Sequence, residues 1–197
     1  MRDDINHLVE YAEALSGPVP EYLYQLERQT FLKTISPQML SGRLQGRLLS
    51  LLSKLLRPKR ILEVGTFTGY SALCLAEGLA PDGELHTIEG DKEVAFIADR
   101  FFQVSPFKNR IRLHRSKAQK TIANIPGNFD LVFLDADKRN YANYFHDLID
   151  RVNPGGLLIS DNVLWDGRVI DRQDKNPVNC SKGMRLFPFQ GLAEKME

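Results

Sequence analysis

Two short stretches carry the side chains best suited to chemistry. Asp135, Asp137 and Lys138 follow the largely apolar stretch Phe129–Leu134, and Asp161 with Asn162 follows a second stretch, Gly156–Ser160. In an open parallel α/β sheet, ligands collect beyond the C-terminal ends of the strands. The two tips are therefore expected to meet around a metal ion. Asp135, Asp161 and Asn162 offer only oxygen donors, which select a hard divalent cation: Mg²⁺ first, with Ca²⁺ or Mn²⁺ as alternatives. Three protein ligands would leave positions open for substrate oxygens. Lys138, three residues after Asp135, is a candidate general base where cationic neighbours and burial lower its pKa. Asp137 points differently from Asp135 and is expected to support the loop. His7, His86, His114 and His146 lie at no ligand spacing and read as surface or packing residues.

A third stretch, Glu63-Val-Gly-Thr-Phe-Thr-Gly-Tyr-Ser71, lies between a predicted strand and a predicted helix. Gly65 and Gly69 stand in a G-x-x-x-G spacing. A dinucleotide fingerprint needs a further glycine between them so that backbone can approach a pyrophosphate, but Thr66, Phe67 and Thr68 fill that space. The Glu63 carboxylate would repel a pyrophosphate and suit a cation. Glu89, about twenty residues past Gly69, is placed to bond ribose hydroxyls. A ribose, an ammonium and a sulfonium without phosphate describe S-adenosylmethionine; NAD fits poorly.

The elements that must hold these residues read off the periodicity. Helices are predicted over 3–15, 21–34 and 43–56, the first ended by Gly17-Pro-Val-Pro20. From Arg60 the period changes. Strands are predicted at 61–64, 84–88, 111–113, 129–134 and 157–160, alternating with helices at 70–79, 91–104, 117–125 and 141–152, and Asn153–Gly156 is a turn. This alternation predicts an α/β fold with a parallel, doubly wound sheet and helices on both faces. Residues 1–58 form N-terminal helices, 59–165 the cofactor- and metal-binding core, and 166–197 an atypical tail, all in one domain of 197 residues. The hydrophobic share of 43% and charged share of 26% are ordinary for a globular chain. A formal net charge of +1 gives no global field toward nucleic acid or a membrane surface. Cys74 and Cys180 form no disulfide framework, and the N-terminus lacks a signal-peptide core, so a cytoplasmic setting without membrane spans is expected.

Taken together, Met39-Leu-Ser-Gly42, Leu62–Ser71, Ile88-Glu89, Phe133–Tyr141 and Ser160–Trp165 resemble the cation-dependent class I O-methyltransferases, the group of catechol and caffeoyl-CoA O-methyltransferases and their bacterial relatives. The resemblance covers roughly residues 20 to 168. It implies a Rossmann-like methyltransferase sheet and roles for particular residues. Met39 and Ser41 would line the cofactor pocket, and Glu63 and Gly65, with Thr66 and Phe67 beside them, would hold the methionine end. Ser71 would bind the carboxylate, Glu89 the ribose, and Ala118 would pack near the adenine. Asp135, adjoining the cofactor, would bind the metal with Asp161 and Asn162, and Lys138 would be the base. The implied reaction is methyl transfer to a hydroxyl of a small vicinal-dihydroxy phenolic substrate, by a homodimer.

The chain departs from that pattern in two places. Arg115-Ser-Lys-Ala118 stands where relatives usually have a glycine before the alanine, and 180–197 matches none of the family's closing pattern. A sheet without the usual last two strands is therefore expected, leaving an exposed strand edge. Two other functions follow from particular features. Arg43, Arg47, Lys54, Arg57, Lys59 and Arg60 form a basic cluster that could meet tRNA phosphates, which would make a modified uridine hydroxyl the acceptor; a solvated helix face is the plainer reading. An atypical tail would instead suit a cofactor-binding protein without turnover.

Overall fold

The computed structural model describes residues 2–164. Helices α1 (Arg2–Leu15), α2 (Glu21–Lys33) and α3 (Gly42–Leu56) precede the sheet, with a 3-10 turn at Pro37–Met39. There follow β1 (Arg60–Val64), α4 (Tyr70–Ala76), β2 (Glu84–Glu89), α5 (Lys92–Val104), β3 (Ile111–Arg115), α6 (Ala118–Asn124), β4 (Phe129–Leu134), α7 (Tyr141–Leu148) and β5 (Val152–Ser160). The five strands pair in the order β3-β2-β1-β4-β5, all parallel. This is the doubly wound, Rossmann-like arrangement expected from the alternation of strands and helices. The order reverses between β1 and β4, which opens a crevice at their C-terminal ends.

Side chains alternate across the strands, and helices cover both faces. Ile61, Leu85, Leu131 and Phe133 join Leu23, Leu26, Leu49 and the apolar residues of α4 in one core; Leu62, Val64, Ile88, Val132 and Leu134 join Ile122, Tyr141 and Leu148 in the other. Burial on both faces explains the apolar run Leu131–Leu134 of β4. Glycines allow the closest approaches: a Cβ on Gly78 would lie 2.1 Å from the Ser53 carbonyl carbon, where α3 crosses the end of α4.

Most boundaries differ from the periodicity by no more than two residues, and the larger differences fall at α4, α7 and β5. Helix α4 stops at Ala76, not 79. Helix α7 stops at Leu148 and tightens into a 3-10 turn, Ile149–Arg151, so that β5 already begins at Val152. The predicted 153–156 turn is an irregularity inside β5: Phe129 pairs with Val152 and Leu131 with Leu157. Asn153 anchors it through Asp130 at 2.8 Å. The expected 166–197 tail, Trp165, Cys180 and the missing last strands lie outside the described residues.

Candidate active site

A cavity of about 1110 Å³ opens at the C-terminal ends of the strands. Its wall holds Met39, Ser41, Gly65, Thr66, Phe67, Ser71, Glu89, Ala118, Asp135, Lys138, Asp161 and Asn162. These are the predicted site residues with one difference: Glu63 is fully buried, beneath the turn and outside the lining.

The floor is built by backbone. Gly65 N and Thr66 N donate to Ile88 O at 3.1 and 3.2 Å, and Asp135 N donates to Val64 O at 2.9 Å. These bonds draw the tips of β1, β2 and β4 together. Gly65 takes φ +102, and a Cβ there would lie 1.9 Å from Asp135 O. Only glycine permits that approach. Gly69, at φ 96, starts α4 against Phe102. Above the floor, Glu89 accepts from Phe67 N at 2.7 Å and from Asp91 N at 2.9 Å, which ties the turn to the tip of β2. Burial raises the Glu89 pKa, and those amide bonds oppose the rise. The Glu89 carboxylate has about four acceptor sites, more than these amides use, which leaves capacity for a ribose hydroxyl.

Glu63 sits opposite Thr87 in the β1–β2 register, and the Thr87 hydroxyl donates to Oε2. Oε1 has no hydrogen-bond donor among the described residues. Burial pushes the carboxyl up to about 8; the neighbouring Ser71 and Thr87 hydroxyls oppose this, and the charges of Asp135 and Glu89 add to it. A buried carboxyl with an unpaired oxygen under a ligand cavity suits a cation.

At the β4 tip, Lys138 Nζ donates to Asp135 Oδ1 at 3.2 Å, to Tyr141 Oη at 2.5 Å and to Asp161 O at 3.3 Å. The cationic neighbours expected around Lys138 are replaced here by a carboxylate, a phenol and a carbonyl. Burial raises the Asp135 pKa; Lys138 opposes this and Asp161 adds to it. Asp161 N donates to Leu134 O at 2.9 Å, which brings the β5 tip beside the β4 tip. The Asp161 carboxylate accepts from Asn162 N at 2.7 Å and Asn162 Nδ2 at 3.0 Å. No group of three His, Cys, Asp or Glu side chains converges among the described residues. The candidate set is two carboxylates and one amide, and Asn162 holds a left-handed φ of 56. An all-oxygen set in which two carboxylates repel each other fits a hard divalent cation.

Asp137 is drawn aside by Tyr144 Oη at 2.7 Å and by Asn140 Nδ2, in keeping with a loop-supporting role. Gln119 reaches Asn140 at 2.9 Å across the α6 side of the cavity, where Lys117 and Ala118 also line the wall. Sequence reasoning missed Tyr141, Thr87, Gln119 and the buried Thr30–Thr68 hydroxyl pair, 2.8 Å apart, which braces the turn against α2. Tyr141 had a local signal, its spacing of three from Lys138. The Thr30 contact spans 38 residues and had none.

The basic cluster is largely engaged within the fold. Arg47 and Lys54 bind Glu77, Arg43 bonds Gly17 O, and Arg60 bonds Pro126 O and Asn128 O. Arg57 and Lys59 border a small cleft shared with Asp130 and Gly155, not the main cavity. His86 and His114 hydrogen-bond to each other at 2.9 Å and line no part of the cavity, and Cys74 is a buried free thiol.

A Rossmann-like sheet, a glycine turn that lacks the middle glycine of the dinucleotide fingerprint and an acidic second strand tip are features of α/β folds of the methyltransferase type. The O-methyltransferase family model matches residues 13–193, a longer span than the 20 to 168 of the sequence resemblance. The chain belongs to that family. Catechol O-methyltransferase of Niastella koreensis is 35% identical over 147 residues, 73% of this chain and 66% of its own length. Caffeoyl-CoA O-methyltransferase of Stellaria longipes is 34% identical over 155 residues, 76% and 64% respectively. The chain thus spans less than two thirds of the length of these curated relatives. Among solved structures, SAH-bound PaMTH1 of Podospora anserina has a TM-score of 0.85 at 27% identity, covering 98% of this chain and 87% of its own. The O-methyltransferase TomG of Streptomyces achromogenes, in complex with SAM, has a TM-score of 0.83 at 32% identity, covering 90% and 80%.

Proposed function

We propose that the protein is an S-adenosylmethionine-dependent O-methyltransferase, with a divalent cation, acting on a hydroxyl of a catechol- or caffeoyl-type vicinal-dihydroxy aromatic. One observation carries the reading: a single cavity brings the Gly65 turn and Glu89 together with Asp135, Lys138, Asp161 and Asn162. The cofactor when bound supplies an electrophilic methyl on a sulfonium. Asp135, Asp161 and Asn162 would hold the cation, whose chemistry is to orient and acidify neighbouring substrate hydroxyls. Lys138, as the neutral amine with two protons and a lone pair, takes the proton of the attacking hydroxyl and becomes the ammonium that donates to Tyr141, Asp135 and Asp161. Met39 and Ser41 close the wall beside the cofactor. Holding donor and acceptor in line could contribute about 7–11 kcal/mol to lowering the barrier.

Methyl transfer from labelled cofactor to catechol, a caffeoyl thioester and unmodified and hydroxyuridine-containing tRNA tests the substrate class, each with Mg²⁺ and with chelator. Turnover of the phenols should fall at least ~100-fold with chelator and return with Mg²⁺, Ca²⁺ or Mn²⁺. Chelator-insensitive turnover removes the metal, and preference for tRNA changes the acceptor. Thermal stabilisation by S-adenosylmethionine without turnover of any acceptor leaves only a cofactor-binding protein. Lys138→Ala should lower kcat for catechol by about 10²-fold or more; an unchanged rate removes its role as base. The reading extends to a homodimer, with the outer leucines of α3 as the surface a second copy would bury.

A further inference from the structure

We propose that Tyr141 is the positioning residue of Lys138, its hydroxyl fixing the amine between the β4 and β5 tips. This rests on the methyltransferase reading and adds to it a residue with no role in the metal or cofactor set. Tyr141 opens α7 and is fully buried. A buried hydroxyl is costly unless hydrogen-bonded, and a phenylalanine would fill the same space. The hydroxyl here is bonded in one sense only. Leu134 O can only accept, so the Tyr141 proton goes to it, at 3.0 Å. The phenol oxygen is then left to accept from Lys138 Nζ at 2.5 Å. The amine lies 4.5 Å from the ring centre, much nearer the hydroxyl than the π face.

The remaining contacts complete the arrangement. The protonated amine has three protons and three acceptors, Tyr141 Oη, Asp135 Oδ1 and Asp161 O; the neutral amine that takes a proton has two, so it keeps Tyr141 Oη, releases one of the two longer bonds and turns its lone pair to the acceptor hydroxyl. Leu134 O also receives Asp161 N at 2.9 Å. One carbonyl thus joins the tyrosine that holds the lysine to the residue that ends the β5 tip. A lysine stem has several rotatable bonds and high rotamer entropy. Without the phenol oxygen, Nζ keeps only two longer contacts and can swing away from the acceptor hydroxyl.

Tyr141→Phe tests this with little threat to the fold, because the ring remains and Leu134 O keeps the Asp161 amide. Expected for Tyr141→Phe are a kcat for catechol about 10- to 100-fold lower, a catechol KM within about two-fold, and an unchanged calorimetric Kd for S-adenosylhomocysteine. In a Lys138→Ala background the same change should add nothing, because the two residues act as one unit. 4-Aminophenylalanine at position 141 keeps the ring and a donor to Leu134 O but offers a poor acceptor. It should reproduce the loss, and it replaces Tyr141→Phe in the comparison if that variant folds poorly. Wild-type kcat in these variants, or an equal loss with and without Lys138, would overturn the proposal. Parent protein with no turnover defeats the functional reading instead. The positioning claim is then decided by the crystal structure of Tyr141→Phe, where Nζ still bonded to both Asp135 and Asp161 would sink it, and Nζ withdrawn from either would sustain it.

Discussion

Glu63 shows how one buried side chain can set a pH dependence. Its carboxyl has an ordinary value near 4.5 and is pushed up to about 8 in the fold. Between those values the native state holds a proton that the unfolded chain has lost, so this group's contribution to stability falls as pH rises through the window. Ligand-free protein should therefore gain stability from Glu63→Gln at pH 8 and little at pH 5. A Tm difference that does not widen with pH would show that Glu63 is not the group responsible. A cationic ligand above the turn should reverse the preference by drawing off the proton. Calorimetry of S-adenosylmethionine at pH 7 in two buffers of different ionisation enthalpy should then report proton release by the wild type and none by Glu63→Gln. Equal heats in both buffers would sink the coupling. At the same scale, Asp135 and Asp137 have the same chemistry and separate partners: Lys138 bonds Asp135, while Tyr144 and Asn140 occupy Asp137.

The strand-turn-helix unit from Arg60 to Ala76 depends on close backbone approach more than on side-chain affinity. Gly65→Ala would place a Cβ 1.9 Å from Asp135 O in a backbone conformation that non-glycine residues rarely adopt. The strain, ~3 kcal/mol or more, should separate the β1 and β4 tips and abolish S-adenosylmethionine-induced thermal stabilisation. Retained cofactor binding in a folded Gly65→Ala would mean that the turn tolerates displacement. The brace from α2 is gentler. Thr30→Val removes a buried hydroxyl bonded to Thr68 and to Leu26 O, and should lower unfolding free energy by about 1–3 kcal/mol in urea titration. A change below ~0.5 kcal/mol would make the contact incidental. The element boundaries follow the same lesson. The 153–156 turn signal is real in the backbone, yet it is absorbed as an irregularity within β5 because Phe129 already pairs with Val152.

At the scale of the whole molecule, α3 carries two faces. Its inner face packs on α4, while Leu44, Leu48, Leu51 and Leu55 are 40, 54, 54 and 74% exposed. Their spacing of four, three and four residues forms one stripe that a two-fold axis could set against itself. Sedimentation velocity should show a dimer that Leu48→Glu with Leu51→Glu converts to monomer; a monomeric parent removes the homodimer from the functional reading. Among the described residues no helix is long and apolar enough to cross a membrane. The amino-acid order alone determined the strand and helix alternation, the parallel sheet, the glycine turn and the placing of Asp135 and Asp161 at strand tips. Those features are written in periods of a few residues and in backbone chemistry that is local. Only the tertiary structure decided that Glu63 lies below the cavity, that the basic cluster is largely engaged with Glu77 and backbone carbonyls, and that Lys138 rests on Tyr141. The first two turn on which side chains meet across the packed elements, which no local pattern specifies; the third had a local spacing of three, but the bond itself depends on how the β4 tip and α7 pack.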